Sequence, residues 1–219
     1  MERHDIVFCF DSTGSMNRCI SAVKYHVNRF FEGLAAIGNC QPDWRVRIMG
    51  YRDFEFDEEY LINDNPFVST PEEVKQQFWT VEPKEFCGGD NPESTIDGIW
   101  YAMCKTEWRN DCHKSIVVFT DAVPKRVNEK TLRDISGSDD DVEVLMQELN
   151  VRDIQLFLFG EADPIYEKLG MIPNACIHQI INSYEFLFYL IDFNQLMFDL
   201  GVAISKCSNN LKISMYGNM

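Results

Sequence analysis

Three short apolar runs constrain this 219-residue chain more than any other feature: DIVFCF at Asp5–Phe10, SIVVFT at Ser115–Thr120 and IQLFLF at Ile154–Phe159. Each is hydrophobic almost without interruption. A strand that is apolar on both faces must be covered on both, which is the condition of a parallel sheet between two helix layers. WRVRIMGY at Trp44–Tyr51 alternates instead, Arg45 and Arg47 against Val46 and Ile48, so it is expected nearer an edge. NACIHQII at Asn174–Ile181 is the expected last strand.

Helical patterns separate these runs. From Asn17 to Ile37, Ile20, Val23, Val27, Phe30, Phe31 and Leu34 recur at spacings of three and four, one face of a helix, and Gly38-Asn39 is its stop signal. Thr70-Pro71-Glu72-Glu73 is a helix start, with Thr70 as cap, Pro71 at the first position and Glu73 closing the box. Pro92-Glu93 opens a helix through Ile96, Ile99, Trp100 and Met103. Val142–Leu149 and Asn194–Lys206 are two more. Strands alternating with helices predict a doubly wound α/β fold with helices on both faces. No linker interrupts the pattern, so residues 1–219 are expected to form a single domain. The polar stretch Val127–Asp141, ending SGSDDD, reads as a surface loop.

Charge narrows the partners. Asp and Glu number 35 against 20 Lys and Arg, a formal net charge of -15. That balance repels phosphate backbones and anionic bilayers, so nucleic acid and membrane are disfavoured and a basic protein or a cation is favoured. The apolar stretches near Tyr184–Ile191 and Leu196–Ile204 are broken by Glu185, Asp192 and Asp199, as core helices are. Met1–His4 is polar and the following apolar run is short, so no signal peptide is recognised. The eight cysteines contain no C-x-x-C pair, and Cys112-His113 has no companion at zinc spacing. Reduced cysteines and a cytoplasmic location are the expectation.

In open α/β sheets ligands bind beyond the carboxyl ends of the strands. Here the first strand ends Asp11-Ser12-Thr13-Gly14-Ser15, and the run Ser115–Thr120 ends on Asp121. Between them Cys87-Gly88-Gly89-Asp90-Asn91-Pro92-Glu93 turns into a helix start. The opposite strand ends carry nothing comparable. Carboxylate and hydroxyl oxygens together suit hard cations such as magnesium, manganese or calcium. Thr13 and Ser15 flank Gly14, whose backbone freedom is expected to let both hydroxyls aim at one point. Taken singly, Ser, Thr and Asp before a helix are ordinary caps. Three strand-end loops supplying acids and hydroxyls together are not explained that way. Asp53, in Tyr51-Arg52-Asp53, is a lesser candidate for supporting the site, with Arg52 pairing to a nearby acid. Phe54 and Phe56 read either as an exposed contact patch or as inward strand residues.

DSTGSM resembles the D-x-[ST]-x-S signature of von Willebrand factor A (vWA) domains, and VVFTDA resembles their fourth-strand motif ending in a metal-site aspartate. The order of strands and helices is similar to that family over roughly Asp5 to Ser205. The resemblance implies a mostly parallel, doubly wound sheet with one antiparallel edge strand. It also implies a metal-ion-dependent adhesion site at the sheet's carboxyl end. Thr13 and Ser15 would bind the metal directly, with Asp11 and Asp121 behind them or bound through water. The cation implied is Mg²⁺, or Mn²⁺ or Ca²⁺. The family's remaining ligand is a threonine that follows glycines; here Asp90 follows Gly88-Gly89, a departure, and Thr95 is the weaker candidate inside the predicted helix. A charged Asp90 on the ion would hold it more tightly and weaken its pull on an outside carboxylate.

The implied function is a divalent-metal-dependent protein-interaction module, not an enzyme. It resembles stand-alone intracellular bacterial vWA proteins of stress and tellurium-resistance operons, with a kinase, a phosphatase or an ATPase-complex component as partner. The enzymatic alternative is a haloacid-dehalogenase-like, Mg-dependent phosphatase with Asp11 as nucleophile. That chemistry needs an acid two positions later, where Thr13 stands, and no downstream lysine motif supports it. Nucleotide-cradling glycine loops and a G-x-S-x-G elbow are missing as well. His178, in an apolar strand, reads as a packed core residue.

Overall fold

The computed structural model describes residues 2–36, 43–53, 62–81, 92–127, 141–179 and 191–207. Among the described residues six strands make one sheet: β1 (Arg3–Asp11), β2 (Asp43–Tyr51), β3 (Ile62–Asp64), β4 (His113–Phe119), β5 (Ile154–Gly160) and β6 (Ala175–Gln179). Their order is β3-β2-β1-β4-β5-β6; every pairing is parallel except that of β3 with β2. The chain therefore winds outward from β1 in both directions, and the switch point lies between β1 and β4. The expected doubly wound sheet with one antiparallel edge strand is what forms.

The helices are α1 (Asn17–Ala35), α2 (Pro71–Gln77), α3 (Thr95–Cys104), α4 (Asp141–Val151), α5 (Pro164–Leu169) and α6 (Phe193–Ser205). Alternate residues of β1 feed two cores. Ile6, Phe8 and Phe10 pack with Ile20, Val23, Val27 and Phe30 of α1 and with Leu196, Met197 and Leu200 of α6. Val7 and Cys9 pack on the other face with Ile96 and Ile99 of α3 and Leu145 and Leu149 of α4. This two-sided burial is why the run is apolar at every position. Thr70 caps α2, its hydroxyl oxygen accepting from Glu73 N at 3.3 Å and its hydroxyl donating to Glu73 Oε2 at 2.6 Å.

Several expectations need correction. β2 does lie nearer an edge, with only β3 outside it, but its alternating arginines serve ion pairs and do not mark a solvated face. Arg45 grips buried Asp5 through two hydrogen bonds of 2.8 Å, and Arg47 pairs with Asp64. The amino ends of the strands are thus not bare, for Arg109 also holds Asp5 and reaches Asp43 at 2.8 Å. α3 begins at Thr95, after Pro92-Glu93, and Glu93 instead bridges to the Val123–Lys125 segment. α5, with Asp163 as its cap and Pro164 first, was not anticipated. His178 stacks on Phe159 with ring centroids 5.3 Å apart, as a packed residue does. Phe54, Phe56, Gly88, Gly89 and Asp90 lie outside the described residues. So does the Val127–Asp141 stretch, apart from its ends, which Val127 N ties to Asp141 Oδ2 at 3.2 Å. Among the described residues no helix is long and apolar enough to cross a membrane.

Candidate metal centre

β1 pairs with β2 and β4 in register through Asp11↔Tyr51 and Phe10↔Phe119, so their carboxyl ends finish side by side. Asp11 is the last residue of β1. The chain then turns at once, held by Ser12, whose N–H and hydroxyl both donate to Tyr51 O, at 2.8 and 2.9 Å. A short 3-10 turn at Gly14–Met16 leads into α1, placing Ser15 exposed at the rim and Thr13 buried just inside it. Asp121 arrives from the neighbouring loop, two residues beyond β4.

Four of the five predicted site residues meet. Thr13 Oγ1 donates to Asp11 Oδ1 at 2.7 Å, and Thr13 N donates to the same oxygen at 3.0 Å. Ser15 Oγ donates to Asp121 Oδ1 at 3.1 Å, and the two hydroxyl oxygens are 3.3 Å apart. With both hydroxyl protons given to carboxylates, Thr13 and Ser15 face each other with lone pairs alone. The aspartates thus orient the two hydroxyls from behind and leave their lone pairs free to accept a cation. The spacing also suits one. Neighbouring oxygens at right angles on a cation lie roughly 2.9 Å apart for Mg²⁺ and roughly 3.3 Å or more for Ca²⁺. Among the described residues no group of three or more His, Cys, Asp and Glu side chains is arranged to hold a metal, so a cation here depends on the hydroxyls. Asp90, the fifth prediction, lies outside the described residues.

The charges at this centre oppose one another. Burial, reinforced by the Asp121 carboxylate, pushes the Asp11 carboxyl up to about 7, against the hydrogen bonds from Thr13 and Thr120. Burial also raises Asp121, opposed by the Ser15 hydroxyl. A positive charge among these groups would relieve both.

Asp11 is wholly buried, and its second oxygen accepts from Thr120 Oγ1 at 3.1 Å. A carboxylate with both oxygens engaged and no exposed face is badly placed to attack a phosphoryl group, and nothing in the structure supports the phosphatase alternative. Thr120 belongs to the VVFTDA motif, and sequence reasoning took only its aspartate. Thr95 is occupied otherwise: its Oγ1 lies 2.9 Å from Tyr51 Oη and 3.0 Å from Tyr166 Oη, fully buried at the start of α3. Its hydroxyl is thereby engaged by tyrosines from β2 and α5. Gly14 also differs from expectation. It lies outside the left-handed region, and a Cβ there would meet nothing within 4 Å, so its effect is to leave the rim bare. Asp53 is buried and paired with Lys125 at 2.7 Å, and is therefore no part of a solvated acidic edge. Arg52 is buried, and its Nε has no hydrogen-bond partner.

Sequence reasoning missed Glu93. It is 5% exposed, its Oε2 has no hydrogen-bond partner, and its main chain is stitched to the β4 loop. Burial, then the charges of Asp11 and Asp53, push its carboxyl up to about 9. The available signal was the acid three residues past Asp90, just before the α3 start.

Two solved structures share this architecture. The pilus adhesin SpaC of Lactobacillus rhamnosus GG is 15% identical, with a TM-score of 0.60 over 94% of this chain and 31% of its own. Proximal thread matrix protein 1 of the mussel byssus is 14% identical, with a TM-score of 0.58 over 93% of this chain and 46% of its own. At that identity the likeness is one of fold, and the chain spans less than half the length of either. No curated protein matches the sequence. The sequence model of the von Willebrand factor A domain matches residues 5–152, the stretch that carries β1 to β4 and all four converging site residues. The chain belongs to the von Willebrand factor A domain family.

Proposed function

We propose that this chain is a divalent-cation-dependent protein-interaction module. Its contact point is the rim formed by Thr13, Ser15 and Asp121. The observation that carries the reading is the facing pair of hydroxyls 3.3 Å apart, with Thr13 bonded to Asp11 and Ser15 to Asp121. Thr13 and Ser15 would hold Mg²⁺, or Mn²⁺ or Ca²⁺, with Asp11 and Asp121 fixing their orientation and supplying negative charge. Such a cation supplies a Lewis-acidic position for an oxygen of the partner. Ser15 and Gly14, both exposed, leave that position open to solvent. Asp11 cannot turn away, because Thr13 and Thr120 hold both of its oxygens.

A non-catalytic role is supported by this chemistry and by the company of the fold, an adhesin and a thread matrix protein. The partner we propose is a protein with a basic surface, favoured by the net charge of -15, and the contact group is a carboxylate or a phosphorylated side chain. The setting we propose is an intracellular stress-response or signalling complex, on the sequence resemblance to stand-alone members of the family. Asp90 is proposed as a further acidic ligand from its loop.

Calorimetric titration of chelator-stripped protein with Mg²⁺, Mn²⁺ and Ca²⁺, beside Ser15→Ala, tests the reading. One saturable site in the parent, weakened at least tenfold in the variant, is expected. A parent that binds none of the three ions, or a variant that binds equally well, would refute it.

A further inference from the structure

His4 is buried at a cost that no contact of its ring offsets. It is 1% exposed, and neither Nδ1 nor Nε2 has a hydrogen-bond partner. The side chain of Arg109 reaches only its main chain, Nη2 donating to His4 O at 3.2 Å. A neutral imidazole donates at one nitrogen and accepts at the other, so both functions go unused. Native proteins rarely leave buried polar atoms in that state without a ligand to satisfy them. Packing does not explain the residue, because a phenyl ring would fill the space without the penalty. What stands beside it is a second imidazole. β1 and β4 pair in register through His4↔His113, and the two ring centroids are 5.1 Å apart. His113 is exposed at the first position of β4. In the sequence, Cys112-His113 lacked a companion at zinc spacing; the companion comes from the neighbouring strand. Cys112 itself is engaged elsewhere, its Sγ donating to Arg109 O at 3.1 Å.

We propose that His4 and His113 form a binding site for a borderline transition-metal cation, Zn²⁺ or one like it, at the amino end of the sheet. The separation of the rings fits such an ion. A zinc–nitrogen bond of about 2.1 Å, with roughly 1.1 Å more to the ring centre, puts each centroid about 3.2 Å from the metal. Two rings at the tetrahedral angle then have centroids about 5.2 Å apart, against the 5.1 Å found here. Imidazole nitrogen suits zinc, copper and nickel and not magnesium or calcium, so this site differs in kind from the hydroxyl and carboxylate centre. It is also remote from it. Asp11 lies seven positions further along β1 than His4, roughly 23 Å at about 3.3 Å per residue. Burial, then the charge of His113, hold the His4 imidazolium below its ordinary 6.5, with Arg109 acting the same way and Glu2 and Asp5 opposing. The neutral ring so favoured is the form that ligates metal. Among the described residues no third His, Cys, Asp or Glu completes a cage, so the chain supplies two ligands and water the others. Solvent reaches the site from the exposed His113 side.

The chain has four histidines, so each imidazole can be followed by proton–nitrogen NMR during titration with Zn²⁺. Parent, His113→Asn, His4→Phe and Ser15→Ala are compared. In the parent and in Ser15→Ala, the ring-nitrogen signals of His4 and His113 should move together and saturate, while those of His26 stay in place. His113→Asn, altered only at an exposed ring, should bind at least tenfold more weakly, and the His4 shift should go with it. His4→Phe keeps the buried volume and should lose the His113 shift. A His4 signal that Zn²⁺ leaves in place overturns the assignment, as does one that still moves in His113→Asn. Movement of His113 alone marks binding at the surface and overturns it too. Shifts at His178, whose Nε2 lies 3.1 Å from Cys176 Sγ, in place of those at His4 would put the metal on that pair and end the proposal.

Discussion

Replacing Gly201 by alanine should destabilise the protein although it improves a helix. α1 and α6 pack backbone against backbone at two glycines. A Cβ on Gly201 would lie 2.2 Å from Phe30 O and 2.8 Å from Leu34 N, and a Cβ on Gly33 would lie 2.1 Å from Phe198 O. An unstrained carbon contact is about 3.5 Å, so the helices must separate by about 1 Å. No side chain can rotate to relieve the clash, because the obstacle is main chain. Alanine gains about 1 kcal/mol of helix propensity. Forcing extra carbon into a well-packed core costs about 1–3 kcal/mol, and an immovable obstacle puts this case at the upper end. The expected net loss is about 2 kcal/mol, a fall in Tm of about 4–8 °C for a chain of this size. Urea unfolding followed by far-ultraviolet circular dichroism measures it. Gly14→Ala is the control, since its Cβ meets nothing within 4 Å. Gly33→Ala should cost a similar amount, and the double variant less than the sum, because one separation accommodates both methyls. A Gly201→Ala protein as stable as the parent would refute the packing argument.

Two further outcomes are expected away from the proposed ligands. Burial alone would raise the Asp5 carboxyl, but hydrogen bonds and charge from Arg45 and Arg109 outweigh it and hold the group below its ordinary 3.8. A depressed carboxyl stabilises the fold above its unfolded pKa and loses that contribution as pH falls. The parent should therefore lose stability below about pH 4 more steeply than Asp5→Asn, and parallel acid limbs in urea unfolding would contradict this. Lys125→Met removes the buried partner of Asp53, which is itself 0% exposed, and should cost about 3–5 kcal/mol in urea unfolding. Adding Asp53→Asn should recover part of that loss, and a cost below about 1 kcal/mol for Lys125→Met alone would show the pair to be dispensable.

The sheet and its covering could be read from the chain because burial on two faces is written residue by residue. Ile6–Phe10, Ile116–Phe119 and Leu156–Phe159 are apolar throughout because helices cover both sides. The face of α1 follows from its spacing for the same reason. The motif D-S-T-G-S brought Asp11, Thr13 and Ser15 together because they share one turn. β3 was not readable at three residues, since so short a strand carries no period and exists only because β2 offers it an edge. α5 carried an ordinary Asp-Pro start at Asp163-Pro164 that went unused.

The burial of Glu93 depended on something else. Asp90 stands next to the glycines and Glu93 does not, so local reading favoured Asp90. Glu93 is held by main-chain hydrogen bonds to Val123 and Lys125, and its Oε2 finds no partner, which no local pattern foretells. The same holds for Thr95, whose hydroxyl is claimed by tyrosines from β2 and α5. Local pattern records which face of an element is buried, because that depends on its own residues. Which loops converge depends on the strand order β2-β1-β4, a property of through-space pairing that no single segment carries.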